Sequence, residues 1–348
     1  MRLRPVLFFI ISMVSIPGVS AKKTVEYIRN ENLTTIKSDY IGNPFIGNKF
    51  VRDTVEKRKG SFGRIFKWKF SSNPQAKEKK QDTFRLKAIT DTSFLHSTSN
   101  IMVWFGHSSF YIRINGVTLM LDPVFYNIPM NKRLVKTPCN PQDVKVDYVL
   151  LSHNHRDHFD RKSVRQLVAN NSQLQVIAPL RLGSEYIQKI TSHYIGMGWY
   201  QKYNLKNNVE VIFLPAQHWT RSSINDQNTT LWGSYIIKTP ETTIYFAGDT
   251  GWGEHFEDIA SLFPNVDYAI MPIGAYSPRW FMGKEHINPQ EAVAAAKILN
   301  AKKIIPMHYA TYSLSDEPIG EPQRLFLEYC RQENMNGLAP NVGEVIEL

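Results

Sequence analysis

Cysteine is nearly missing from this chain: 348 residues contain only Cys139 and Cys330. One disulfide at most can form, and their separation does not say whether it does. Long apolar runs are also scarce. Residues 6–16 are apolar, but eleven residues fall short of the ~20 that cross a bilayer as a helix. That stretch follows Met1-Arg-Leu-Arg and leads to Val19-Ser-Ala21, the pattern of a cleaved secretory signal over residues 1–21. An exported protein, periplasmic or secreted, is therefore expected, with a mature start near Lys22. An uncleaved membrane anchor is the alternative. No internal repeat, low-complexity tract or nucleic-acid-binding motif is present, so no nucleic-acid partner is expected. Acidic charge is scarce near the start. Residues 1–100 hold 19 Lys+Arg against 8 Asp+Glu, net +11, and the remainder holds 22 against 23. Residues 22–100 read as a basic extension, either packed on the core or a solvated arm. Its charge favours peripheral contact with an anionic membrane, or serves only solubility.

From residue 101 strand patterns begin. Runs at 101–105, 110–114 and 118–121 suggest a meander, with Asn115-Gly116 a strong hairpin turn. Strands over 146–151, 175–178, 209–214, 233–239, 243–247 and 266–273 follow. Helices are expected near 161–170, 183–190, 289–300 and 322–334. Asn288 is placed to cap the third of these, with Pro289 at its first position. Mixed strands and helices predict an α/β layered domain over residues 101–348.

The most informative stretch is Val149-Leu-Leu-Ser-His153-Asn-His155-Arg-Asp157-His158, three histidines and an aspartate within six residues. Imidazole and carboxylate suit Zn²⁺ and similar divalent ions. A helix would scatter these positions around its axis, and a strand would turn His158 to the opposite face. Only an irregular loop after a strand folds all four inward. Three further strand-like runs end on a potential ligand: His218, then Asp249 between glycines, then His308.

The spacing and order resemble the metallo-β-lactamase-fold hydrolases, over roughly residues 101–322. The resemblance implies a four-layer αβ/βα sandwich with metals at one edge between the sheets. It also implies two zinc ions per chain. His153, His155 and His218 would hold one, Asp157, His158 and His308 the other, and Asp249 would bridge. Water between two such cations ionises near neutral pH, so the site suits hydrolysis without naming the bond cleaved. His107 and Asp122 would orient the ligands. The run Pro272-Ile-Gly-Ala-Tyr-Ser-Pro-Arg-Trp-Phe-Met282 narrows the resemblance to the N-acylphosphatidylethanolamine-hydrolysing phospholipase D branch. That branch implies a phosphodiesterase acting on phospholipid. Lactone or other ester hydrolysis is the alternative, and a non-enzymatic metal-binding module a more distant one. Asp157, Asp249 and His286 are the expected catalytic residues. Tyr276, Arg279, Trp280 and Phe281 are the expected substrate contacts, although the aromatic residues equally suit a small core within their own loop.

Overall fold

A computed structural model describes residues 24–52, 63, 67, 68 and 70–348. The signal-peptide reading and the start near Lys22 lie outside the described residues. No helix among the described residues is long and apolar enough to cross a membrane.

Two seven-stranded sheets face each other. The first runs, in spatial order, Tyr194–Met197, Gln175–Pro179, Tyr148–Leu150, Val117–Leu121, Ser109–Ile114, Ile101–Gly106 and Val345–Glu347. The second runs Ala301–Met307, Val266–Pro272, Thr243–Phe246, Ser234–Lys238, Glu210–Leu214, Gln201–Asn204 and Thr34–Thr35. Strand alternation sorts the first sheet's side chains onto two faces. Trp104, Phe110, Ile112 and Leu150 point to the second sheet and join Phe213, Tyr235 and Phe246 in the main core. Ile101, Val103, Tyr111 and Val149 point outward, where Val164 and Leu167 of helix Arg161–Asn170 cover them. Helices Pro289–Ile298 and Glu321–Gln332 pack together, and the first of them lies on the second sheet. The result is helix, sheet, sheet, helix: the four-layer αβ/βα sandwich. Asn115 and Gly116 have φ of 47° and 71°, the left-handed pair that a two-residue hairpin needs.

The N-terminal segment belongs to this packing. Strands Val25–Ile28, Asn43–Ile46 and Lys49–Phe50 make a small third sheet. Phe45 and Phe50 meet edge to face at 5.0 Å and join the main core, and Phe94 packs on Phe105 and Tyr111. Phe50 is 0% exposed. Phe50→Ala is therefore expected to destabilise the protein by about 3–5 kcal/mol. Urea unfolding checks this, and a midpoint unchanged from the parent would show the segment to be dispensable to the core. Both cysteines are buried and unpaired.

Candidate metal centre

The seven predicted ligands sit at the carboxyl ends of four strands. After strand Tyr148–Leu150 the chain curls, with the His158 and Phe159 N–H groups donating to the His155 carbonyl at 3.1 and 2.8 Å. Asp160 then caps helix Arg161–Asn170 by accepting the Lys162 and Ser163 N–H groups. This curl turns His153, His155, Asp157 and His158 toward one point. His218, Asp249 and His308 enter from the loops after Glu210–Leu214, Thr243–Phe246 and Ala301–Met307.

The seven predicted ligands converge, together with His107, in two groups. Ligand atoms of His153, His155, His218 and Asp249 lie within 4.8 Å of one another, as do those of His107, Asp157, His158 and His308. Asp249 lies between them. Its Oδ1 is 3.2 Å from His158 Nε2, and its Oδ2 is 3.1 Å from His308 Nε2, 3.7 Å from His218 Nε2 and 4.0 Å from His153 Nε2. On one side, His155 Nδ1 is 2.8 Å from His153 Nε2 and 3.1 Å from His218 Nε2.

Outer contacts set which nitrogen points inward. His153 Nδ1 meets Ser152 Oγ at 2.9 Å, His158 Nδ1 meets Asp122 Oδ2 at 2.7 Å, and His218 Nδ1 meets the Glu285 carbonyl at 3.1 Å. In each ring this leaves Nε2 for the centre. Asp122 also accepts the Ser152 N–H at 2.7 Å and the Ser152 hydroxyl at 2.5 Å, so it fixes the start of the histidine loop. His107 Nε2 contacts Asp157 Oδ2 at 3.0 Å, and the His107 N–H is held by Thr311 Oγ1 at 2.6 Å. Left-handed backbone recurs here at His107, Asp122, Ala275 and His308, with φ between 36° and 61°. Such conformations cost energy and persist where surrounding packing dictates them.

Burial pushes His153 and His218 well below the usual imidazole range, and takes His155 to about 4 and His107 to about 3. These rings are held in the neutral form, His107 with its Nε2–H toward the Asp157 carboxylate. Burial alone would raise Asp157 and Asp249, but neighbouring imidazoles, His158 foremost, hold both carboxyls well below their normal range. Burial likewise opposes charge on His158 and His308. The Asp249 and Asp157 carboxylates outweigh it, raising His158 strongly and His308 to about 9. Buried Asp249 and half-buried Asp157 thus draw positive charge onto the centre, and a divalent cation offers the same compensation. Asp249 Oδ1, His158 Nε2 and His308 Nε2 are buried and make no hydrogen bond. Buried nitrogen and oxygen atoms left unpaired in this way fit a cation-binding centre.

A family model described as a beta-lactamase superfamily domain matches residues 118–309. The chain is 31% identical over 262 residues to N-acyl-phosphatidylethanolamine-hydrolyzing phospholipase D 1 of Caenorhabditis elegans, covering 69% of this chain and 72% of that protein. The chain belongs to the beta-lactamase superfamily. A mitochondrial phospholipase of the same description from Saccharomyces cerevisiae is 32% identical over 232 residues, covering 63% of this chain. This chain spans only 49% of that yeast protein's length. Among solved structures, a metallo hydrolase from Ignicoccus hospitalis superposes with a TM-score of 0.55 at 22% identity, covering 72% of this chain and 99% of that one. A possible metal-dependent hydrolase from Veillonella parvula gives 0.58 at 16% identity, covering 72% and 100%. These two share the fold. Metal-dependent hydrolases recur among the relatives, and the superfamily member described here carries two adjoining His/Asp clusters suited to such chemistry.

The aromatic loop of this superfamily member departs from the sequence expectation. Tyr276 is predicted to touch substrate, but it is buried and its hydroxyl donates to Glu321 Oε1 at 2.6 Å. Arg279 is predicted to meet a phosphate, but its guanidinium forks onto both Glu291 oxygens and the His286 carbonyl. Both residues build the loop instead. Trp280 is 44% exposed with Lys67 Nζ 5.1 Å above its ring, and Phe281 stacks on Trp68 at 5.1 Å. The N-terminal segment therefore reaches this loop. Gly274 is required by packing, because a Cβ there would meet the His308 carbonyl at 2.2 Å. His286 does reach the centre. Its Nδ1 is buried without a hydrogen bond and lies 3.9 Å from Asp249 Oδ2. Thr311, Ser152, Glu291 and Thr250 have no signal in the sequence, being ordinary polar residues whose roles depend on loops brought together from afar.

Proposed function

We propose that the chain is a binuclear zinc phosphodiesterase of the N-acylphosphatidylethanolamine-hydrolysing phospholipase D type. The observation that carries this reading is the pair of adjoining donor groups with Asp249 reaching from one to the other, in a chain whose curated relatives at 31% and 32% identity bear that activity in their names. His153, His155 and His218 would hold one ion, Asp157, His158 and His308 the other, and Asp249 both. Two bound zinc ions supply an ionised water near neutral pH and draw charge from a phosphoryl oxygen. Water adds to phosphorus and the bond from phosphorus to the N-acylethanolamine oxygen breaks. The departing alkoxide takes a proton, giving an N-acylethanolamine and phosphatidic acid. Buried His286 is held neutral, its ordinary value lowered to about 4 by burial. Its unpaired Nδ1 is placed to take a proton from the attacking water and return it to the leaving oxygen.

Hydrolysis in ¹⁸O-labelled water tests the reading. Label is expected in the phosphate of the lipid product. Label only in a released carboxylate would replace this reading with acyl or lactone hydrolysis.

The surface around the centre supports a lipid substrate presented in a membrane. Met130, Ile224, Trp252 and Trp280 follow strands at the metal end and are 88%, 76%, 42% and 44% exposed. Phe70 of the basic extension is 75% exposed. Apolar side chains among cations suit an anionic bilayer. Rates on vesicles containing anionic lipid are expected to fall as salt rises, while rates on a soluble phosphodiester stay level. Equal salt dependence for both substrates would remove the membrane contact.

A further inference from the structure

The Arg279 guanidinium has three partners. Nη2 donates to both oxygens of Glu291, at 2.7 and 2.9 Å, and Nη1 donates to the His286 carbonyl at 2.9 Å. Glu291 is the third residue of helix Pro289–Ile298 and completes a capping box: it accepts the Asn288 N–H at 2.9 Å, while Asn288 Oδ1 accepts the Glu291 N–H at 2.8 Å. Residues 286–288 therefore lie inside a closed ring of hydrogen bonds. From the other side, the Ile287 N–H donates to the carbonyl of Thr250, the neighbour of Asp249, at 2.8 Å. The His286 backbone is fixed between this clamp and the Asp249 loop, and its ring stands 5.3 Å from those of His218 and His308.

Stability gives little reason for such a fork. The Arg279 side chain is 41% exposed, and exposed ion pairs contribute little. A planar two-pronged contact does fix direction, which an ammonium does not. We propose that Arg279, through its bond to the His286 carbonyl and through Glu291, is a positioning residue that holds His286 at the metal centre and does not itself contact substrate. The proposal rests on the proton-carrying role given to His286 above.

Three variants separate positioning from phosphate binding. Arg279→Ala removes the fork. Arg279→Lys keeps the charge, which would satisfy a phosphate, but not the planar geometry. Glu291→Gln removes the carboxylate that Nη2 grips, leaving Nη1 on the His286 carbonyl and a residue that still completes the capping box. Each is measured for kcat and KM with phosphodiesters of poor and good leaving groups, and for metal content. All three are expected to lower kcat on the poor leaving group about 10-fold or more, the scale for loss of a group that orients an active residue. KM and metal content should stay near those of the parent. In a His286→Asn background, Arg279→Ala should add no further loss. Selective ¹⁵N-histidine labelling reads position without turnover: Arg279→Ala should move the His286 imidazole signals, assigned through His286→Asn.

A raised KM in Arg279→Ala, restored by Lys and absent from Glu291→Gln, would make Arg279 a substrate contact and overturn the proposal. Equal losses with and without His286, or unmoved His286 signals, would overturn it as well. If His286→Asn alone costs no activity, the proton-carrying role fails, and the imidazole signals still decide whether Arg279 positions the ring.

Discussion

Asp249→Ala will strip metal from both halves of the centre. Elemental analysis of the purified variant is expected to give well under one ion per chain. Hydrolysis should fall about 10³-fold or more, since losing even one preorganised charge-stabilising group costs about 10²–10³-fold. The reason lies in what this carboxylate touches. One oxygen faces His158 at 3.2 Å and the other faces His308 at 3.1 Å and His218 at 3.7 Å. No other group among the described residues stands between the two donor sets in this way. Its charge also sustains the raised pKa values of His158 and His308. Without it the centre keeps three imidazoles and no carboxylate on one side, and Asp157 as the one carboxylate beside His158 and His308 on the other. A variant that folds, judged by far-ultraviolet circular dichroism, yet keeps two metals per chain would remove Asp249 from its bridging place.

The parts of this molecule legible in the sequence are those set by local rules. Helix Arg161–Asn170 has the predicted limits because Asp160 supplies a side-chain cap at its start. Asn288 and Pro289 likewise mark the start of Pro289–Ile298. The Asn115-Gly116 hairpin follows from the two residue types that tolerate left-handed backbone. The short strands Tyr194–Met197, Gln201–Asn204 and Val345–Glu347 have no such signature. Each is a short sheet-edge or near-edge piece: Val345–Glu347 pairs with the distant Ile101–Gly106, and Gln201–Asn204, though next to Glu210–Leu214 in the chain, is polar and also pairs with the distant Thr34–Thr35. The early segments at Val25–Ile28 and Asn43–Ile46 are hidden for the same reason: polar sequence masks Asn43, whose buried amide ties Ile28 to the Trp199 turn.

The candidate site divides along the same line. The ligand motif is dense in rare residue types, so its chemistry stands out before any folding. Residues 272–282 stand out too, but as a pattern without a stated job. Tyr276 and Arg279 read as substrate contacts because aromatic and cationic side chains beside a metal commonly serve that way. Their partners Glu321 and Glu291 lie 45 and 12 residues further on. Nothing in the spacing reveals that those carboxylates return to the loop. A long-range partner turns a reactive residue type into a structural one, and only the fold discloses it.

His286→Asn should separate the two metal-end roles that the sequence leaves merged. The ring is 14% exposed, and its Nδ1 lies 3.9 Å from Asp249 Oδ2. His286 also groups with Asp249 and His308 as possible donors, so metal content and turnover together decide between a proton carrier and an eighth ligand, and the proton-carrying role gives the following outcome. Metal content in the variant is therefore expected to stay at the parent level. Turnover of a phosphodiester with an alkyl alcohol as leaving group should drop about 10²–10⁴-fold, the usual contribution of a positioned proton carrier. An aryl ester whose phenolate departs without protonation should lose far less. The contrast between the two substrates is the decisive quantity, because a ligand role and a folding role would each depress both alike. Equal losses, or a loss of metal with them, would move His286 from proton transfer to metal binding.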